Sequence, residues 1–390
     1  MGMASAQKQE GIARGASRKD GGTKMEEEGI RFEQGKLFYN THMQLCRSFS
    51  SLLVGSLGGE LSFLDGFCAS GIRGIRYAKE NPNVSSLDFV DISEEAAGLA
   101  LENANGNGLE SVQAHHAEFN SFMMEREYDF VEIDPFGSPA PYTYHAIRSF
   151  RGKKEGYLSI SATDTAVLCG AHPHACKRVY HSTPLHDEIL HECGIRILWK
   201  YVSNIANEFN FGIKPLASLS HRHFFKIFLK LERGSERALD SFGKIGYVNF
   251  CHSCGHRQSG KYGLETCPKC GKKPGACGPL WLGELHDLET IRKMKELNSQ
   301  RDYSDKAKLD SLLSLMEGEV GMPPWFYEVH ASCRRLNIQP PPRIDALIEK
   351  LKEEGFGAVR THFTPLGIKT DAGICGFGRA LSDSRTPNKD

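Results

Sequence analysis

LSFLDGFCASGIRGIRYAKE, residues 61–80, opens with an apolar run that ends on an acid, Asp65, passes through a turn of small residues and continues at helical spacing. A strand accounts for the first part and a helix for the last. Small side chains between them let a ligand approach the backbone, and the amides of a helix start favour an anion or a polar group. The same grammar recurs downstream. Leu87 to Val90 ends at Asp91 and precedes SEEAAGLALENANGNG; Tyr128 to Ile133 ends at Asp134; GYLSISAT supplies another strand near residues 156–163. Alternating strands and helices predict an α/β fold with a parallel sheet. Ligands of such sheets collect outside the carboxyl ends of the strands, where Asp65, Asp91 and Asp134 fall.

Working outward, MQLCRSFSSLLVGSL (43–57) reads as an amphipathic helix in front of this unit. Cys193 to Phe209 has helical spacing, and HRHFFKIFLKLERG (221–234) has the period of two that closes the sheet near residue 232. A first domain over residues 30–235 follows. Residues 1–29 are rich in Gly, Ala, Ser and charge without a hydrophobic period and predict a flexible tail. After residue 236 come a cysteine-paired, Gly- and Lys-rich stretch and four helical patterns, in DLETIRKMKELN, YSDKAKLDSLLSLMEGE, YEVHASCRRLN and PPRIDALIEKLKEEG. They predict a second, smaller α+β domain to residue 380, and residues 381–390 a frayed end.

The chain has 390 residues, enough for two domains that each bury a core. Its 48 basic residues balance 48 acidic ones, which argues against a protein that holds nucleic acid by bulk charge but leaves a local basic face open. Twelve cysteines are too sparse for a disulfide scaffold, and neither a signal peptide nor an apolar run of membrane-spanning length stands out. A reducing, cytoplasmic setting is expected, with no membrane partner and no obligate protein partner.

Four cysteines are not scattered. Cys251-x-x-Cys254, 12 intervening residues, then Cys267-x-x-Cys270 has the spacing of a structural zinc site, closed to catalysis because all four positions are thiolates. Iron in the same set, or unmetallated thiols, are the alternatives. Residues 251–295 carry eight Lys or Arg against four Asp or Glu, so Arg257 and Lys261 are candidates for phosphate contacts.

Two features narrow the ligand. Asp91 stands at the end of the next strand after the turn, where a carboxylate accepts both hydroxyls of a ribose. No Gly-x-Gly-x-x-Gly and no phosphate-binding Lys-Ser/Thr pair is present, so a nucleoside with an uncharged tail, such as S-adenosylmethionine, fits better than a dinucleotide or a triphosphate. One strand on, Ile133-Asp134-Pro135-Phe136-Gly137-Ser138-Pro139 combines a carboxylate, a proline that holds the chain extended and an aromatic face. An exocyclic amine on a flat base needs an acceptor for its hydrogens and a surface to stack on. Its lone pair is delocalised into the ring, so methyl transfer requires the nitrogen to be held in line and its developing positive charge to be stabilised. Asp134, with the Pro135 carbonyl, can do this while Phe136 packs against the base.

FYNTHM (38–43), ASGIRGIRYAKE (69–80), IDPFGSP (133–139), SATDTAVLCGAHPHAC (161–176) and THFTPLGIKTDA (361–372) are long, unusual strings. Through them the chain resembles, from about Ile30 to Arg379, the tRNA guanine-26 N2-dimethyltransferase family in its shorter, archaeal-like form. The resemblance implies a class I S-adenosylmethionine-dependent methyltransferase (Rossmann-like) domain, a second domain that positions tRNA, and methylation of N2 of guanosine at position 26. It assigns Phe38, Tyr39, Arg47, Asp65, Ser70, Gly71, Arg73 and Asp91 to the cofactor side, and Asp134, Pro135 and Phe136 to catalysis. Thr163, Asp164, Thr165 and His172 fall to the target pocket. His116 and Ala117 stand where an Asp-Ala pair is expected against the adenine. A methyltransferase for another exocyclic amine of tRNA or rRNA, or a non-catalytic zinc-containing RNA-binding protein, are the competing readings.

Overall fold

The computed structural model describes residues 24–384; the expected tail over residues 1–23 and the chain end over 385–390 lie outside them. The first described element corrects the tail's boundary. Strands β1 (Lys24–Glu27) and β2 (Ile30–Glu33) form an antiparallel hairpin through a turn in which Glu28 and Gly29 both have positive φ. Ile30 and Phe32 sink into the core, and Glu27, 2% exposed, anchors two arginines. That long-range ion pairing has no trace in local composition.

A seven-stranded sheet follows, from β3 (Leu61–Gly66), β4 (Val84–Asp91), β5 (Val112–His116), β6 (Phe130–Ile133), β7 (Glu155–Ala162), β8 (Phe211–His221) and β9 (Phe224–Arg233). Their order is β5-β4-β3-β6-β7-β9-β8, parallel except for β9, which pairs antiparallel with both neighbours. This is the expected α/β class. The central strand β6, FVEI, is buried along its whole length, as a strand covered on both faces must be.

One face carries α1 (Gln44–Ser56), α2 (Ile72–Glu80) and α3 (Glu94–Gly106). The other carries α4 (Phe119–Met123), α5 (Ala140–Arg148), α6 (Thr165–Leu168), α7 (Pro173–Tyr180) and α8 (Leu190–Glu208), with α9 (Ser235–Gly243) beside it. Ser93 caps α3 through a 3.2 Å bond from the Ala96 amide, the kind of start its sequence announces.

Beyond residue 235 the cores divide differently from a single second domain. The sheet β11-β10-β12, from β10 (Ile245–Phe250), β11 (Arg257–Gly260) and β12 (Gly275–Trp281), packs on α8, and Val248, Phe250, Leu280 and Trp281 join the core of the large sheet. Helices α10 (Leu288–Gln300) and α11 (Lys306–Glu319) return to the opposite face and complete its core with Ile291, Met294, Leu309 and Leu313. Only the last part has a core of its own. It comprises β13 (Tyr327–Glu328), α12 (Val329–Leu336), α13 (Ile344–Glu353), β14 (Ala358–Arg360), β15 (Gly367–Thr370) and α14 (Ile374–Asp383). The cysteine-bearing sheet is therefore an outgrowth of the large domain's core. The last helix also carries order through Asp383, past the expected fraying point.

Candidate active site

Strand order reverses between β3 and β6, and the crevice at their carboxyl ends is the switch point where such sheets bind ligands. The turn from β3 into α2 is conformationally tense. Phe67 and Ala69 have φ of 64° and 48°, and Gly71, just before α2, has 76°. Left-handed geometry at non-glycine residues costs energy that a surrounding scaffold must over-determine. Gly71 also brings α2 onto α3: a Cβ there would lie 2.8 Å from the Ala100 Cβ.

The turn is tied to β4. The amides of Phe67 and Cys68 donate to Val90 O, and that of Ala69 donates to Asp91 Oδ2 at 3.1 Å. The Ser93 amide donates to Asp91 Oδ1 at 3.0 Å, so the carboxylate is aimed while staying half-buried at the cleft edge. His116 and Ala117, at the end of β5, do not line the cleft; the Ala117 amide braces the Asp91 carbonyl instead, at 3.0 Å.

Asp65 differs from its expected role. It is fully buried, and its carboxylate accepts Arg73 Nε at 2.9 Å and the Gly74 amide at 3.0 Å, leaving nothing for a ligand. It anchors Arg73, whose Nη1 is ion-paired with Asp134. Burial pushes the Asp65 carboxyl up to about 6, with Arg73 opposing and the acids Glu132 and Asp134 reinforcing. Burial pulls on Asp134 in the same direction, but Arg73, Lys226, the Ser161 hydroxyl and Arg47 together overcome it and hold its carboxyl below the ordinary range. Asp134 is thus an anion at neutral pH, with a quarter of its side chain open to the cleft.

The cleft measures about 400 Å3, and Ser70, Arg73, Asp91, Asp134, Pro135 and Lys226 line it. Its outer wall comes from the segment before α1. Tyr39 Oη donates to Glu27 at 2.5 Å and Arg47 Nε donates to the same carboxylate at 2.8 Å, which fixes both side chains against the cleft. At its mouth Phe38 and Phe136, 65% and 83% exposed, meet edge to face with centroids 5.7 Å apart. Two large exposed rings at the mouth of the cleft offer stacking faces to a planar ligand.

The other expected pocket residues separate into two groups. Thr163 lines the cleft and its Oγ1 accepts the Gly137 amide at 2.7 Å, holding the turn after Asp134. Asp164 accepts Tyr180 Oη at 2.8 Å behind the cleft, Thr165 Oγ1 points to the His223 carbonyl, and His172 is an exposed residue at the start of α7. None of these three lines the cleft. Arg257 is a correction as well. Its side chain is fully buried, ion-paired with Glu188 and stacked over Tyr327 and Phe250, so it cannot reach a phosphate; Lys261 is exposed. Lys226, Ser161 and Glu27 were missed. A lysine inside the apolar run FFKIFL is the one signal that could have exposed Lys226.

Cys251, Cys254, Cys267 and Cys270 converge so that their sulfurs lie within 4.8 Å of one another, with 3.5 Å between Cys251 and Cys270 and 3.7 Å between Cys254 and Cys267. A second convergence joins His286, Glu319 and His362. Here the Ser218 amide donates to His286 Nδ1, which places the ring proton on Nε2, facing Glu319. Glu319 Oε1 further accepts Thr361 Oγ1 and His362 Nδ1, both at 2.8 Å. His286 Nε2 lies 3.8 Å from Glu319 Oε2, and both atoms are buried without a hydrogen-bond partner among the described residues, so the bonds that tie α11 to the C-terminal part run through Glu319 Oε1.

A family model described as N2,N2-dimethylguanosine tRNA methyltransferase matches residues 21–381. A tRNA (guanine(26)-N(2))-dimethyltransferase of Methanobrevibacter smithii is 36% identical over 347 residues, 86% of this chain and 88% of its own. One of Pyrococcus abyssi is 36% identical over 366 residues, 90% and 93% of the two chains. Among solved structures, Trm1 from Pyrococcus horikoshii in complex with S-adenosyl-L-methionine superposes with a TM-score of 0.84 at 34% identity, over 92% of this chain and 99% of that one.

Proposed function

Because the chain belongs to the N2,N2-dimethylguanosine tRNA methyltransferase family, we infer that its cleft serves S-adenosylmethionine-dependent methylation of guanosine N2 in tRNA, with position 26 as the target. The observation that carries the residue assignment is that Asp91 and an ionised Asp134 face one cleft at the switch point, beneath a pair of exposed aromatic rings.

When bound, S-adenosylmethionine supplies an electrophilic methyl group on a sulfonium. Asp91 is placed to take the ribose hydroxyls, and the small residues Ala69 and Ser70 leave the backbone open to it. Phe136 and Phe38 hold the guanine by stacking, which requires the base to leave the RNA stack. Asp134 accepts hydrogen bonds from the exocyclic amine, fixes the nitrogen in line, and stabilises the positive charge that develops on it. The second transfer needs the same acceptor for the one remaining N–H.

The four cysteines we assign to a structural zinc ion. Sulfurs at 3.5 and 3.7 Å fit a tetrahedron with metal–sulfur bonds of about 2.3 Å, whose edges are about 3.8 Å. Thiols kept free of disulfides suit a reducing, cytoplasmic compartment. Exposed Lys261, Lys269, Lys272 and Lys273 on this outgrowth form the basic face offered to the tRNA backbone. The test is methyl transfer to an unmodified tRNA and to the same tRNA carrying adenosine at position 26. Transfer to the first alone supports the reading, and equal transfer to both would contradict it.

A further inference from the structure

Helix α7 takes no part in the reaction as described, yet it is fastened to the loop that carries Phe136. Tyr180, fully buried near its end, donates from Oη to Asp164 Oδ2 at 2.8 Å and lies 2.7 Å from Ser138 Oγ. Ser138 follows Phe136 by two residues, and Asp164 follows Thr163, which lines the cleft. One phenol thus joins α7 to both loops beside the cleft. At 3.6 residues per turn the buried Cys176 and Tyr180 stand about 40° apart on one side of the helix, while His174, Lys177 and Arg178 share an arc of about 100° turned away from them. All three are exposed, and neither Lys177 nor Arg178 has a side-chain partner among the described residues. Residues 165–186, in which the helix lies, hold no Asp or Glu, although the chain has 48. Basic groups in the last turn of a helix can serve merely to complement its dipole. Here that place is filled from α8: Lys200, 3% exposed, donates to the Tyr180 and His181 carbonyls at 3.1 and 3.0 Å. The two exposed cations are left to meet an anion from outside.

We propose that the exposed face of α7 is a docking surface for the tRNA backbone, on which Lys177 and Arg178 contact phosphates beside the nucleotide that enters the cleft. The proposal rests on the reading of the cleft as a guanosine N2 methylation site. Phosphates are the partner this face fits: an unpaired guanidinium offers a planar fork to a phosphate and an unpaired ammonium a point charge. A base drawn into the cleft also brings its own flanking phosphates to the rim, where Tyr180 ties α7 to the loops of Phe136 and Thr163. A backbone seated on α7 is therefore held in register with the ring on which the base stacks.

The experiment measures KM for unmodified tRNA at several salt concentrations, the affinity for S-adenosylmethionine by calorimetry, and the interference that phosphate ethylation along the tRNA causes with binding. The key variant carries Lys177→Gln and Arg178→Gln together; the exchange of Lys177→Arg with Arg178→Lys keeps both charges. In the double variant KM is expected to rise about tenfold near physiological salt, and the slope of log KM against log salt to fall by about one to two. Interference at the phosphates flanking the target guanosine should disappear while the rest of the pattern stays. Cofactor affinity should match the wild type's, and the exchanged variant should restore KM. A double variant with the wild-type KM and salt slope overturns the inference, as does a rise in KM that leaves the interference beside the target intact or that the exchanged variant does not reverse. A wild-type protein that methylates no guanosine of the tRNA sinks the reading of the cleft, and this inference with it.

Discussion

Arg76 Nη1 donates to Glu27 Oε1 at 2.8 Å with both side chains fully buried, joining the N-terminal hairpin to the helix that follows the cofactor turn. Glu27 also receives Arg47 and Tyr39, so one carboxylate ties the hairpin, α1, α2 and the cleft wall together. Replacing Glu27 by Ala strands two arginines in the interior, and a loss of about 3–5 kcal/mol in stability is expected, read by denaturant unfolding.

Acid should expose the same bond. Burial pushes the Glu27 carboxyl up, but Arg47, Tyr39 and Arg76 together bring it below its ordinary value of 4.5. A group lowered in the folded state contributes stability above its unfolded value and loses it as pH falls through the folded one. The stability gap between the wild type and Glu27→Gln is therefore expected to be full near neutrality and to close as the solution is acidified below that value. A gap that widened in acid would contradict the assignment.

Gly71 carries a different kind of constraint. Its φ of 76° and the 2.8 Å approach to Ala100 mean that Gly71→Ala must shift α2 against α3 and reshape the turn that faces Asp91. Affinity for S-adenosylmethionine should fall by about tenfold or more by calorimetry, while the four-cysteine outgrowth, packed elsewhere, should match the wild type in zinc titration.

On the RNA side, Arg257 and Lys261 should part company. Arg257→Ala removes a buried partner of Glu188 and a stacking cation from Tyr327 and Phe250, so thermal stability drops. Lys261→Ala should leave stability alone and lower the slope of log affinity against log salt for tRNA by about one. On the zinc assignment proposed above, treatment with a chelator should loosen the loop bearing Lys261 and Lys269 and weaken tRNA binding before it affects cofactor affinity.

How far these residues were legible in the sequence follows from the range of the forces involved. Asp91, Asp134, Phe136 and the cysteine pairs were readable because strand ends, turns and ligand spacings are local patterns. Asp65 was readable as a strand-end acid but not as an anchor, since only the three-dimensional path of Arg73 turns it away from the ligand. Arg257 looked like a surface cation in a Lys-rich stretch; Glu188 and Tyr327, distant in sequence, bury it. Glu27 and Lys226 were hidden for the same reason, each being a charge whose partner lies on another element. Strands β5 and β8 carry too little periodicity of their own, and the sheet, rather than their composition, sets them in place.

The most direct measurement is to incubate the purified protein and its Asp134→Asn variant with unmodified tRNA and labelled S-adenosylmethionine, and to map the labelled nucleoside. Label is expected in N2-methyl- and N2,N2-dimethylguanosine at position 26 with the wild type. The variant should be slower by about 10²–10³-fold with unchanged cofactor affinity. Label at adenine or at another guanosine, or a variant as fast as the wild type, would contradict the assignment of this cleft.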